Sequence, residues 1–121
     1  MIEVIKDYPR DVVSLRAHGH VTREDYDRVV VPAVAAARDA FDRVRLYYEI
    51  DSDFTAIDPA AIWRDFEIGV QTLPHWEKTA IVTDVLWIKT AAQLFALLLP
   101  GTIRIFSLRD AGVARKWIVE R

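Results

Sequence analysis

Apolar positions recur along the chain with two periods, two residues and about 3.6 residues, and the switches between them mark its elements. Ile2 to Ile5 and Val12 to His18 are short β-branched runs on either side of Asp7-Tyr8-Pro9-Arg10, where proline and aspartate favour a turn, so a hairpin at the sheet edge is predicted. A link from Gly19 to Thr22 leads into a helix that Thr22 and Asp25 open as a capping box. Tyr26, Val29, Val30, Ala33, Ala37 and Phe41 form its inner stripe, and it runs to about Ala40. Pro32 removes a backbone hydrogen bond inside it, which predicts a kink near Arg28. Val44 to Ile50 is apolar at nearly every position except Glu49, as a strand covered on both faces requires.

Asp58 is placed to cap, and Pro59 to begin, a second helix reaching about Thr72. Ile62, Phe66, Gly69, Val70 and Leu73 share one face with Trp63 at its margin, while Arg64, Asp65, Glu67 and Gln71 cover the rest. Thr79 to Thr83 is a strand, Leu86 to Leu99 a helix, Pro100-Gly101 a turn and Ile103 to Ser107 the last strand. Ser107 with Asp110 can cap a terminal helix on which Ala111, Ala114, Trp117 and Ile118 point one way. The order β-β-α-β-α-β-α-β-α calls for an α/β fold: a five-stranded mixed sheet, its first strand antiparallel and the rest parallel, with about four helices. No repeat or linker interrupts it, so residues 1–121 read as a single domain.

The helix after Asp84 departs from the surface pattern. On a wheel, Trp87, Leu94, Leu98, Ala91, Phe95, Ile88, Leu99 and Ala92 fill an arc of roughly 160°, and Lys89, Thr90 and Gln93 occupy a narrow polar wedge that also contains Leu97. A helix resting on one sheet needs about 100° of apolar surface. Either its neighbours bury the surplus, or Val85, Leu86, Trp87 and Ile88 together with Leu97 line a pocket or rest on a membrane or partner.

Composition narrows the functional classes. A hydrophobic content of 52% closes a real core, and a net charge of −2 with scattered Lys and Arg argues against nucleic acid as a partner. Cysteine is absent, which removes disulfides, thiolate metal sites and cysteine nucleophiles. The opening MIEVIKDYPR lacks the basic start and apolar run of a signal peptide, so a cytoplasmic location is expected. The low-charge run from Trp87 to Pro100 is shorter than the roughly 20 residues of a membrane span.

Polar chemistry gathers where parallel strands end. Asp51 and Asp53 follow the third strand, Asp84 the fourth and Arg109 the fifth, and the three carboxylates converging there would suit Mg²⁺ or acid–base work. The bland account is that such aspartates make turns or cap the next helix, as Asp58 and Asp84 are spaced to do. His18 and His20 lie two apart, and His75 has no spacing relation to them, so no metal ligand set is expected. Nucleophile elbows, P-loops and dinucleotide fingerprints are missing, and no cofactor is implied.

TREDYDRVVVPAV, PAAIWRDFEIGV and HWEKTAIVTDVLWIK followed by LFALLLPGTIRIF resemble the SpoIIAA-like proteins, relatives of STAS domains, over about residues 20 to 107. The resemblance implies a STAS-like fold, similar also to the lipid-binding CRAL-TRIO domain, and roles in binding amphipathic ligands, membrane association or regulatory protein contacts. In the anti-sigma factor antagonists a phosphorylated serine opens the second helix. Asp53 stands at that position here, beside Ser52 and without a following glycine, so the switch is missing and a phosphate would meet Asp51 and Asp53 at close range. The leading expectation is a non-catalytic module binding a small amphipathic ligand, or a membrane surface, through Phe54, Leu86, Trp87 and Leu97. A regulatory protein–protein domain without the phosphoserine, and an enzyme using Asp51, Asp53 and Asp84, are the alternatives. A homodimer covering Leu97 fits the first.

Overall fold

A computed structural model describes residues 1–98 and 101–121, the side chain of Leu73 excepted. The chain runs β1 (Ile2–Val4), β2 (Val12–Ala17), β3 (His20–Val21), α1 (Arg23–Asp25), a π-helical turn (Tyr26–Val30), α2 (Val31–Ala40), β4 (Val44–Ile50), β5 (Ala56–Ile57) and α3 (Pro59–Gln71). It continues through β6 (Trp76–Val82), α4 (Leu86–Ala96), β7 (Thr102–Phe106) and α5 (Ala111–Val119). The main sheet has the order β1-β2-β4-β6-β7, with β1 antiparallel to β2 and all other pairs parallel, as the strand and helix order requires.

Strand alternation divides the core between the two faces of the sheet. Leu15, Ala17, Tyr48 and Ile50 face α2 and α3, while Val12, Tyr47, Ala80, Val82 and Phe106 face α5 through Ala114 and Ile118. The two polar residues of central β4 point to the α5 side and are buried with partners. Glu49 accepts from Arg16 and Tyr47. Arg45 donates to the carbonyl oxygens of Ile118 and Glu120, which end α5, and pairs with Glu77. A charge buried in this way is tolerable because its partners replace water.

Thr22 and Asp25 form the expected reciprocal cap. The irregularity expected from Pro32 falls on the π-helical turn that contains Arg28, where the Val31 amide bonds to the Tyr26 carbonyl, one residue further back than in an α-helix. Other expected caps are used differently. The Asp58 carboxylate bonds none of the α3 amides and pairs instead with His20, and neither Ser107 nor Asp110 caps α5 through its side chain. A short parallel ribbon, β3 with β5, joins the links that follow β2 and β4. Strand β6 starts at Trp76, ahead of the expected Thr79, because Trp76 pairs with Val44 across a register shift. Gly101, at φ 86°, brings its backbone against the chain entering β6, and a Cβ there would lie 2.9 Å from the Trp76 carbonyl oxygen. Leu99 and Pro100, the expected helix end and turn, lie outside the described residues.

Candidate functional site

Helix α4 buries none of its side chains. Its inner residues Ile88, Ala91, Ala92 and Phe95 line one side of a cavity of about 210 Å³. Ile62, Phe66, Gly69 and Val70 of α3 form the opposite side, and Leu46, Tyr48, Ile81 and Ile103 of the sheet form its floor. The face of α3 expected to enter the core therefore borders this space, and only Ala61, Ile68 and Thr72 are buried along the helix and its end. The rings of Trp63, Phe66 and Phe95 bridge the two helices in series, with centroids 5.6 and 6.1 Å apart. Packing between α3 and α4 is thus carried at one edge, and the gap beneath remains apolar and open.

One charged side chain borders that gap. Asp65, expected among the polar residues of α3, lies on the same helix face as Ala61 and Ile68 and lines the cavity. Asp65 is exposed at the open cleft, yet the protein crowded around its carboxyl raises its pKa from 3.8 to about 6, a rise that the Tyr26 hydroxyl beside it partly offsets. Tyr26, on the π-helical turn, and Tyr48, on β4, share a hydrogen bond of 2.9 Å between their hydroxyls. Burial first, and the Asp65 charge second, push both phenols above their ordinary range. The result is a chain of polar groups, Tyr48, Tyr26 and Asp65, set into an otherwise apolar wall.

The ligand-binding residues expected from the sequence divide between the cavity and the outer surface. Phe54 and Trp87 line the cavity, whereas Leu86 and Leu97 do not. Together with Leu94 and Leu98, these two leucines expose between 61% and 83% of their surface on the outside of α4 and the turn after it. The polar candidates also separate. Asp51 and Asp53 gather around His18, whose Nδ1 lies 3.3 Å from a carboxylate oxygen of each while Nε2 lies 2.8 Å from Glu3. The donor atoms of His18, Asp51 and Asp53 all fall within 4.8 Å of one another. The Glu3 hydrogen bond, with the charge of Asp53 behind it, raises the His18 pKa above 6.5. Asp84 is apart from this group and does not cap α4: its Oδ1 accepts from the Leu108 amide, which fastens the end of β6 to the turn after β7. His20, the first residue of β3, pairs with Asp58 after β5, while His75, before β6 at the other end of the sheet, bonds the Asp42 carbonyl.

The SpoIIAA-like family model matches residues 12–119. The chain belongs to the SpoIIAA-like family. No curated protein matches it. Among solved structures it is similar to the crystal structure of an uncharacterized protein from the DUF3478 family, with a SpoIIAA-like fold, from Shewanella loihica PV-4. The two share 19% identity and a TM-score of 0.75 over 97% of this chain and 93% of that one. At that identity the likeness concerns the fold.

In this SpoIIAA-like chain, the loop where the resemblance places a phosphoserine is closed on itself. Asp51 Oδ1 accepts from the Ser52 amide at 2.6 Å, and Asp53 points to His18. Asp65 escaped the sequence reading because Arg64 and Glu67 beside it read as a solvated face. Its only signal was the line Ala61, Asp65, Ile68, Thr72, spaced by three or four residues. His18 was legible as a partner of Asp51 only once β2 and β4 were known to be neighbours, since Ala17 and Ile50 pair and the two residues follow them directly.

Proposed function

We infer that this protein is a binding module whose ligand is a small amphipathic molecule held between α3, α4 and the sheet. The observation that carries the reading is the cavity of about 210 Å³, walled by apolar side chains and bordered by a helix with no buried residue. An apolar cavity of about 150 Å³ accepts benzene, so this one is large enough for a bigger ring or an acyl chain of moderate length. Phe54 and Trp87 contact the apolar part of such a ligand, and the Tyr48–Tyr26–Asp65 chain offers its head group hydrogen bonds.

Native mass spectrometry of the purified protein, with solvent extraction of any bound mass, tests this directly. Gly69→Leu places a side chain where an added Cβ meets nothing within 4 Å, and it is expected to exclude a ligand without disturbing the fold. A protein that carries no small molecule, and that takes up none from an extract of lipids and metabolites, would overturn the reading.

The exposed leucines favour a second reading, in which the outer face of α4 rests on a membrane. Liposome flotation separates the two: Leu86→Asp disturbs surface contact alone, whereas Trp87→Ala also opens the cavity wall. No helix among the described residues is long and apolar enough to cross a membrane.

A further inference from the structure

We propose that the ligand carries a cationic amine head group, which pairs with the carboxylate of Asp65 while its hydrocarbon part fills the cavity. This rests on the cavity reading above and adds the chemical class of the ligand to it. Asp65 is the one charged side chain among those lining the cavity, it is open to the cleft a ligand would fill, and among the described residues it forms no ion pair. Arg64, its neighbour in sequence, is turned toward Asp27 and Glu67. Apart from Tyr26, what acts on the Asp65 charge is desolvation. An anion left in that condition favours a ligand that brings the missing positive charge and disfavours one that brings a second negative charge.

The polar groups facing Asp65 support the same choice. From the π-helical turn comes the Tyr26 hydroxyl and, behind it on β4, the Tyr48 hydroxyl; both phenols titrate above their ordinary range and stay neutral at pH 7.5. With its pKa raised to about 6, Asp65 is ionised at that pH, while an alkylammonium, which titrates near 10.4 as lysine does, stays charged. Neutral phenols and an anion make a site that accepts N–H donors. A carboxylic acid would meet like charge, and an alcohol would leave the anion unneutralised.

Three probes of equal chain length test the assignment: n-octylamine, 1-octanol and octanoate, titrated at pH 7.5 and low salt with tryptophan fluorescence and calorimetry as readouts. Octylamine is expected to bind about tenfold or more tighter than octanol, as a charge-assisted hydrogen bond implies, and octanoate weaker than either. Asp65→Asn is expected to remove the preference for the amine and leave octanol binding in place, which also shows that the variant is folded. Octanol binding with no preference for octylamine, or a preference that survives in Asp65→Asn, overturns the head-group assignment and leaves the cavity reading standing. Failure of all three probes to bind overturns both.

Discussion

The protein crowded around the Asp65 carboxyl disfavours its charge, and that has a measurable cost. Because its pKa is about 6 in the fold and 3.8 otherwise, the folded chain binds this proton more tightly than the unfolded chain does. Its contribution to stability is therefore greatest when it is protonated and declines as pH rises between those two values. Asp65→Asn is expected to stabilise the protein by about 1–2 kcal/mol at pH 7, less than the full shift implies because water in the cleft screens the charge. Urea denaturation at pH 7 and pH 4 checks this, and the gain should vanish at the lower pH.

Each helix and strand rests on a different kind of signal, and their legibility differed accordingly. The 3.6-residue periods of α2, α3 and α5, the β-branched run of β2 and the nearly continuous apolar run of β4 announced their elements, because apolar spacing is a local property of the chain. The ribbon of β3 and β5 did not show, since two residues are too few to display a period. The cavity showed only in part: the wide apolar arc of α4 raised a pocket near Phe54 and Trp87, but Ile62, Phe66 and Val70 gave no sign that α3 forms its other side, because whether two apolar stripes touch or stand apart is decided by the position of both helices on the sheet. Pro32 gave local warning of the π-helical turn, but not that this turn directs Tyr26 toward Asp65. At the turn into β7, Gly101 couples a left-handed backbone to a close approach. Gly101→Ala is expected to destabilise the protein by about 1–3 kcal/mol, since it strains φ and also presses a methyl group on the Trp76 carbonyl; thermal denaturation measures the loss.

For the whole molecule, ionisable groups at its edges set a window of stability. Hydrogen bonds and charges hold Glu3, Asp11 and Asp25 below the ordinary carboxylate range, so the stability they contribute is lost as pH falls through their folded values. His18 is raised, so its contribution is complete below 6.5 and is lost as pH rises through its folded value. The Asp65 decline lies below this one, between 3.8 and about 6, and is complete before the alkaline limb begins. The melting temperature is therefore expected to peak in mildly acidic buffer and to fall toward pH 8, and His18→Gln should flatten the alkaline limb while leaving the acid limb in place. A native profile that rises steadily to pH 8 would contradict this assignment. The unburied helix α4 has a consequence of its own for motion. With no residue fully buried, it is expected to open locally at low free energy, so its backbone amides should exchange with deuterium sooner than those of α2 or β4. A ligand in the cavity would supply the contacts that α4 lacks, and slower exchange confined to Leu86–Ala96 would report its arrival.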